Sequence, residues 1–321
     1  MKARLERHQV WCYLVAVGVG LLVGTFAPGS AAVFEVAVWP VLALLLFVTF
    51  VQMPLDRMAE AFKDVRFLVA ALLGNFVVLP LMVWGLIQFF PSDAVIRLGL
   101  LLVLLVPCTD WFIPFTQLGR GDAARATAIT PLNMVMQLLL LPVYLWLMMD
   151  ADFSVVFTPM NLWPAFLVVL LPLVAATAIE IWYKMPANPE RVREHLAWGP
   201  VPLLSLVVFM VAAANVTAVA DDFVVVPVAA GASLAFLILS ALIAKLISVA
   251  LRLPTVQGRT LAFSFGTRNS FVVLPVALAL PEGWEIASVI VVLQSLVELL
   301  AMILYIWFVP RVLFRGRSMT P

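Results

Sequence analysis

Long apolar stretches separated by short polar segments make up most of the chain. Ten of the stretches reach the roughly 20 residues that a helix needs to cross a bilayer. They cover Val10–Ala27, Val33–Gln52, Phe67–Phe90, Ile96–Leu118, Ala124–Met149, Met160–Trp182, Leu196–Val219, Phe223–Ala250, Gly258–Leu280 and Trp284–Val309. The short connections leave no room for a separate soluble domain. The pattern predicts an all-α polytopic membrane protein with ten transmembrane helices.

Two of these stretches are interrupted by polar residues and proline. The interruption in the fourth is Pro107-Cys108-Thr109-Asp110, and the one in the ninth is Ser264-Phe265-Gly266-Thr267-Arg268-Asn269-Ser270. Where a membrane helix breaks, backbone carbonyls and amides become available to a solute or an ion. Two broken helices in corresponding halves of a chain are typical of the binding site of a secondary transporter.

The two halves of the chain match weakly in the order of their elements. Broken helix four corresponds to broken helix nine, and Asn133 with Gln137 corresponds to Gln294 with Glu298. An odd number of spans in each half inverts the second copy in the membrane, which is a recurrent transporter design. We therefore expect two inverted five-helix repeats, residues 1–155 and 156–321, whose broken helices cross near the midplane. The alternative is a chance match between apolar helices.

Composition and charge agree with a membrane protein. The chain is 64% hydrophobic and 12% charged, and its mean hydropathy of +1.12 excludes an ordinary soluble domain. Alternating loops place all Lys and Arg residues except Arg97, Lys245 and Arg268 on one side. The positive-inside rule then predicts that both termini are cytoplasmic. The formal net charge of +1 gives no indication of nucleic-acid binding.

The polar residues at the two interruptions are the candidate substrate contacts: Cys108, Thr109, Asp110, Arg268, Asn269 and Ser270. Five further intramembrane polar residues are expected to support them: Asn133, Gln137, Ser264, Thr267 and Gln294. A fixed charge inside a span costs at least ~2.5 kcal/mol, so Arg268 requires a partner or a hydrated cavity. We expect it to pair with Asp110. Such a pair either only locks the crossing or opens to let Arg268 contact an anion.

Two more residue types carry candidate chemistry. Glu298 has no basic residue near it in sequence, and a lone buried carboxyl group can exchange protons near neutral pH. It is the first candidate for coupling, with Asp110 the second, although Glu298 could equally be a neutral hydrogen-bonding group. Cys108 could act as a soft ligand for a metalloid, or be a small buried apolar residue. No motif predicts a cofactor, a metal site or an enzyme active site.

These residues resemble the bile acid:sodium symporter superfamily and, within it, the arsenical-resistance branch of arsenite efflux permeases. The resemblance is strongest from Pro107 to Asp122, and it continues through Asn133-x-x-x-Gln137 and Leu296-Val297-Glu298-Leu299. It implies a panel domain from helices 1, 2, 6 and 7 and a core domain from helices 3–5 and 8–10. It also places Cys108 on the cysteine that contacts trivalent arsenic.

The chain departs from this pattern in its ninth helix. Sodium-coupled relatives carry Glu-x-Gly-x-Gln-Asn there, whereas this chain has Ser264-x-Gly266-x-Arg268-Asn269. Arsenite permeases have a further Glu shortly after this Asn, and this chain continues with Ser270-Phe271-Val272. Arg268 would then supply the charge that sodium supplies in the relatives, which makes sodium coupling doubtful.

Together these observations predict a transporter of the bacterial inner membrane that exports arsenite or antimonite in exchange for protons. The alternative is a carrier of a small organic anion bound by Arg268, acting as a proton symporter or a uniporter. The expected partners are a small solute, protons and the lipid bilayer, with no nucleic acid.

Overall fold

The computed structural model describes residues 2–52, 58–149, 159–183, 196, 198–221 and 223–315. The regular structure in these residues is helical, and no β-strand occurs among them. The helices are α1 (Lys2–Phe26), α2 (Ala31–Val51), α3 (Met58–Ala61), α4 (Val65–Leu73), α5 (Leu79–Ile87), α6 (Ala94–Leu104), α7 (Phe112–Leu118), α8 (Ala123–Met148), α9 (Pro159–Tyr183), α10 (Pro200–Ala214), α11 (Val216–Asp221), α12 (Val225–Ala250), α13 (Thr255–Gly266), α14 (Ser270–Leu278) and α15 (Glu285–Phe308). A 3₁₀ turn at Pro28–Ser30 precedes α2, and π-helical turns at Gly74–Val78 and Val309–Leu313 follow α4 and α15.

Five helical segments of the described chain are long and apolar enough to cross a membrane: Pro28–Val51, Val65–Ile87, Ala123–Met148, Val225–Ala250 and Glu285–Leu313. Shorter apolar helical stretches are Trp11–Phe26, Ala94–Leu104, Leu167–Ile179 and Pro200–Ala214. The protein is therefore an all-α membrane protein, as the sequence predicts. The number of ten spans and the inverted repeat stay predictions.

Both predicted interruptions are present. The fourth apolar stretch consists of α6 and α7 with residues 105–111 between them, and the ninth consists of α13 and α14 with residues 267–269 between them. Pro107 has no backbone N–H, so it cannot continue the hydrogen-bond ladder of α6. Pro275 lies inside α14 without ending it. The polar segments, rather than every proline, mark the breaks.

The chain divides into two compact units, and each draws on both halves of the sequence. The first unit comprises Met1–Met53, Ala151–Val226 and Phe271–Leu296, and the second Pro54–Asp150, Pro227–Ser270 and Val297–Pro321. These units are defined by compactness, whereas the predicted repeats 1–155 and 156–321 concern topology. The division into repeats stays a prediction.

In the first unit α1 packs closely against α10, and α2 packs against α9 and α10. Close approach depends on Gly20 and Gly24, which lie one turn apart on α1. A Cβ atom at either position would overlap a backbone carbonyl oxygen of α10, on Phe209 or Ala213. Small residues at this spacing are how membrane helices gain van der Waals contact without a hydrophobic driving force.

In the second unit α13 packs against α4, α7 and α8, and α8 also packs against α6. Gly74, the first residue of a π-helical turn, lies directly against the ring of Phe265 on α13, so a Cβ there would overlap the ring. This contact brings the π-helical turn next to the end of α13. Both interruptions, residues 105–111 and 267–269, lie in this unit. Its segment Pro227–Ser270 ends just after the second interruption.

Candidate functional site

The two interruptions contact each other through their backbones. The amide of Asn269 donates to the carbonyl of Val106 at 2.9 Å, and the amide of Cys108 donates to the carbonyl of Thr267 at 3.1 Å. Pro107 and Arg268 face each other as an isolated antiparallel β-bridge. We call residues 105–111 together with 267–269 the crossing. The contact that the sequence predicts between the two broken helices is therefore formed.

The guanidinium of Arg268 lies buried at the crossing, with only 2% of the residue exposed. Its Nη2 donates to the carbonyl of Phe265 at 2.7 Å, to the carbonyl of Ser264 at 3.3 Å and to Oδ1 of Asn75 at 3.3 Å. Its Nη1 donates to the carbonyl of Leu104 at 3.4 Å. The three carbonyls belong to the last turns of α13 and α6, where helical carbonyls lack intrahelical partners and carry partial negative charge. Arg268 thus caps two broken helix ends at once.

Asn75, in the π-helical turn after α4, completes the surroundings of this guanidinium. Its Nδ2 donates to Oγ of Ser264 at 2.9 Å, while its Oδ1 accepts from Arg268. The ring of Phe236 lies 4.9 Å from Cζ of Arg268, at cation–π distance. Asn75 was not among the residues predicted from the sequence. Its signal was a single polar side chain, next to Gly74, within an otherwise apolar stretch.

Glu298 contacts the backbone of Arg268. Its Oε2 accepts from the amide of Arg268 at 2.8 Å, and the residue is 1% exposed. The carboxylate also interacts electrostatically with the guanidinium charge. The expectation of a lone carboxylate is therefore wrong, because the fold brings Arg268, which is 30 residues away in the sequence, next to Glu298.

The predicted ion pair between Asp110 and Arg268 is not formed. Arg125, by contrast, does form ion pairs, with Asp64 and with Asp122. The η nitrogens of Arg268 donate to oxygens at the ends of α13 and α6 and to Asn75, whereas Asp110 lies at the α7 side of the interruption. Helix-end carbonyls, which sequence reasoning did not weigh as acceptors, take the place of the carboxylate.

Cys108 lies within the crossing as a free thiol that is 4% exposed. Its Sγ accepts from the amide of Asp110 at 3.4 Å. The neighbouring Thr109 accepts at Oγ1 from Nδ2 of Asn269 at 3.0 Å. A soft sulfur ligand thus lies beside a hydrogen-bonded hydroxyl and amide, and both interruptions contribute to this group.

The remaining predicted residues are all buried, but the structure does not join them all to the crossing. Thr267 donates from Oγ1 to the carbonyl of Phe263 at 2.8 Å, and Ser270 is the first residue of α14. Asn133 and Gln137 lie on the buried face of α8. Gln294 belongs to the first unit. Hydrogen bonds connect eight predicted residues at the crossing: Cys108, Thr109, Asp110, Ser264, Thr267, Arg268, Asn269 and Glu298.

A second polar cluster, which the sequence analysis did not identify, lies at the starts of three helices. Nε and Nη2 of Arg125 contact Oδ2 of Asp64 at 2.9 and 2.8 Å, Nε2 of Gln257 contacts the same oxygen at 2.7 Å, and Arg125 also pairs with Asp122. We call these four residues the Asp64 cluster. A cavity of about 210 Å³ lies beside it and is lined by the charged residues Glu60, Lys63, Asp64 and Arg125 and by apolar neighbours.

Hydrogen bonding within this cluster shifts the titration of Asp64. Partial burial alone raises the pKa of Asp64. The backbone hydrogen bond from Phe67, the side-chain bonds from Arg125 and Gln257 and the charge of Arg125 outweigh burial, so the pKa lies below its ordinary value of 3.8. The carboxylate is therefore ionised at neutral pH. Of these four residues, only Arg125 entered the sequence-based prediction of orientation, as one of the basic loop charges.

Within the described ranges, no three His, Cys, Asp or Glu side chains come together as metal ligands. The crossing instead offers a fixed cation, a buried carboxyl group and a thiol.

The family model described as Sodium Bile acid symporter family matches residues 39–222, more than half of the chain. No curated protein matches the chain significantly.

Proposed function

Because this chain belongs to the Sodium Bile acid symporter family, whose members carry small solutes across membranes, we propose that it is a secondary transporter that works without sodium. The observation that carries this proposal is the guanidinium of Arg268, surrounded by four oxygen acceptors at the crossing. Backbone carbonyls and amide oxygens are also the ligands that bind hard cations. In this chain a covalently attached cation occupies them.

A second cation at this position would meet the charge of Arg268. Two unit charges about 4 Å apart repel by roughly 4 kcal/mol in a partly dry site. The resemblance supports the same conclusion, because Ser264 and Arg268 stand where sodium-coupled relatives carry Glu and Gln. Sodium binding would therefore add no stability to the occupied crossing.

Coupling then requires a group that changes its own charge, and we assign this role to Glu298. Its carboxyl group is buried and accepts from the amide of Arg268. Protonation would weaken that hydrogen bond and its attraction to the guanidinium, so proton binding acts directly on the crossing. Asp110, at the other interruption, is the second candidate. In our proposal protons are exchanged for the solute.

The proposed substrate is arsenite or antimonite, exported across the bacterial inner membrane. Cys108 supports it, because a thiol is the soft ligand that a trivalent metalloid prefers and this thiol lies within the crossing. Both termini would be cytoplasmic. The ten spans would form two inverted repeats, with panel and core domains as the resemblance implies.

An organic anion as substrate has less support. In that alternative Arg268 is the anion contact, yet both of its η nitrogens already donate to protein oxygens. An anion would have to displace these bonds and leave buried carbonyls without a donor, which costs about 1–3 kcal/mol for each. The metalloid is the better match to the crossing.

The substrate is tested with purified protein in proteoliposomes that carry a pH gradient. Arsenite flux, and no flux of a panel of small carboxylates, is the expected result. Cys108→Ser should abolish metalloid flux because a hydroxyl is a poor ligand for a soft centre, whereas Cys12→Ser is the matched control and should transport normally. Full arsenite flux by Cys108→Ser would refute the metalloid mechanism.

A further inference from the structure

The buried face of α8 carries two neutral amide side chains one turn apart, Asn133 and Gln137. They are 0% and 2% exposed. Neither Nδ2 nor Oδ1 of Asn133 has a hydrogen-bond partner in the part of the chain described, nor does Oε1 of Gln137. Nε2 of Gln137 donates only to Sδ of Met134, a weak acceptor, at 2.9 Å. We call Asn133 and Gln137 the amide pair.

Such unused hydrogen-bonding capacity is rare in a protein interior. The large majority of buried polar side-chain atoms have a partner, and exceptions call for a physical explanation. Asn75 shows the usual situation in this protein, since it is equally buried and both atoms of its amide are bonded, to Ser264 and Arg268. The amide pair therefore has donors and acceptors left for something other than the protein.

The amide pair lies on the part of α8 that runs past the crossing. Arg125 on α8 and Gln257 on α13 both contact Asp64, which precedes α4, so the three helices start at one level. A helix rises about 1.5 Å per residue. Asn75 follows Asp64 by 11 residues, Gln137 follows Arg125 by 12, and Arg268 follows Gln257 by 11. At that rise each of the three lies roughly 16–18 Å from the level of the Asp64 cluster.

Two contacts confirm that these helices run in the same direction from the Asp64 cluster. Asn75, which follows α4, accepts a hydrogen bond from Arg268, which follows α13. Tyr144 on α8 donates to the carbonyl of Phe76, also after α4, at 2.5 Å. In addition, α8 packs against α7 and α13, the helices that flank the crossing. The stretch of α8 from Arg125 to Tyr144, which includes Asn133 and Gln137, thus spans the level of Arg268.

We propose that Asn133 and Gln137 bind the hydroxyl groups of a neutral, polyhydroxylated solute, a class that includes the trihydroxy acid of a trivalent metalloid. Amides offer both donors and acceptors to hydroxyl groups but no charge to balance an anion. Arg268 is the cation of the neighbouring crossing, and its η nitrogens already donate to protein oxygens. This inference rests on the proposed transport function, and it names the form in which the substrate binds.

A stability measurement distinguishes a solute site from a structural role. Asn133→Leu and Gln137→Leu remove the amides at similar volume. Asn133 has no hydrogen-bond partner among the described residues, and Gln137 donates only to the weak acceptor Sδ of Met134, so these variants should melt at or above the wild-type temperature. Asn75→Leu, the matched control with bonded amide atoms, should melt clearly lower. Equal losses in Asn133→Leu and Asn75→Leu would overturn the proposal.

A transport measurement supplies the second test, with arsenous acid and boric acid as probes. Both are neutral trihydroxy acids at neutral pH, but boron is a hard centre without affinity for a thiol. Each single variant should lower the flux of whichever probe the wild type carries by at least about tenfold, the effect of losing one or two hydrogen bonds to the solute. Unchanged flux in the stable variants would overturn the amide site.

The two probes keep this proposal separate from the proposed metalloid substrate. Flux of boric acid but not of arsenous acid, lost in Asn133→Leu, would refute metalloid export and support the amide site. Flux of arsenous acid that depends on Cys108 but not on the amide pair would do the reverse. If the wild type neither carries nor is thermally stabilised by any neutral hydroxylated probe, the amide site is wrong.

Discussion

Arg268 and Arg125 lie in the same compact unit but are stabilised in different ways. The side chain of Arg125 is 39% exposed and pairs with two carboxylates, Asp64 and Asp122. Arg268 is 2% exposed, and its guanidinium donates only to uncharged oxygens, while Glu298 bonds its backbone amide. The comparison shows that broken helix ends can accommodate a buried cation without a direct ion pair, because several partial charges converge on it.

The largest difference between the two sites should appear when each arginine is removed. Arg268→Leu leaves the side chain of Asn75 and three buried carbonyls without their donor, so we expect a loss of about 3–5 kcal/mol in the free energy of unfolding. Arg125→Ala should cost less than about 1 kcal/mol, since solvent screens an exposed pair. Denaturation in detergent measures both. Equal losses would show that helix-end carbonyls are not what stabilises Arg268.

Glu298 tests whether the buried site also carries the coupling. Glu298→Gln keeps an acceptor for the amide of Arg268 but cannot bind or release a proton. We expect the variant to fold, to lose about tenfold or more of the flux driven by a pH gradient, and to retain exchange of solute against solute. The measurement is flux in proteoliposomes with and without the gradient. Normal response to the gradient would remove Glu298 from the coupling mechanism.

Acid should weaken the partly exposed Asp64 cluster. The folded-state pKa of Asp64 lies below its unfolded value, so its contribution to stability is fully present above about pH 4 and is lost as the pH falls through the lower, folded-state pKa. At neutral pH, Asp64→Asn should therefore be less stable than the wild type by less than about 1 kcal/mol. The difference should vanish in acid, as thermal melts across pH would show. A difference that persists below the folded pKa would contradict the assignment.

The smallest effect is expected at Asp110. Because it forms no ion pair in the described structure, Asp110→Asn should change the free energy of unfolding by no more than about 0.5 kcal/mol. Thermal melting beside Arg268→Leu checks this. Comparable destabilisation by both variants would restore the pairing that the sequence suggests and the structure does not show.

The sequence predicts the breaks well because they follow from local chemistry. Pro107 removes a backbone donor, and a polar run within an apolar stretch marks the second break at Thr267 to Asn269. Both interruptions lie where these residues predict, and they contact each other. Burial of the candidate residues also follows from the apolar stretches around them.

The partners of the charged residues could not be predicted in the same way. Opposite charges at the two breaks suggest that Asp110 pairs with Arg268, but the sequence does not show how many free carbonyls converge at a broken helix end. Asn75 and Glu298 come from other helices, and their positions depend on packing such as that of Gly74 against Phe265. The Asp64 cluster likewise joins residues that are far apart in sequence.

The central claim is that Arg268 occupies the place of a coupling cation, and sodium dependence tests it most directly. Solute flux should be measured in proteoliposomes at one fixed pH gradient, with sodium replaced by potassium or choline on both sides. We expect the same initial rate in all three salts, because the charge of Arg268 repels a further cation from this position. A rate that rises with sodium and saturates would show a sodium site in the wild-type protein and would contradict the account.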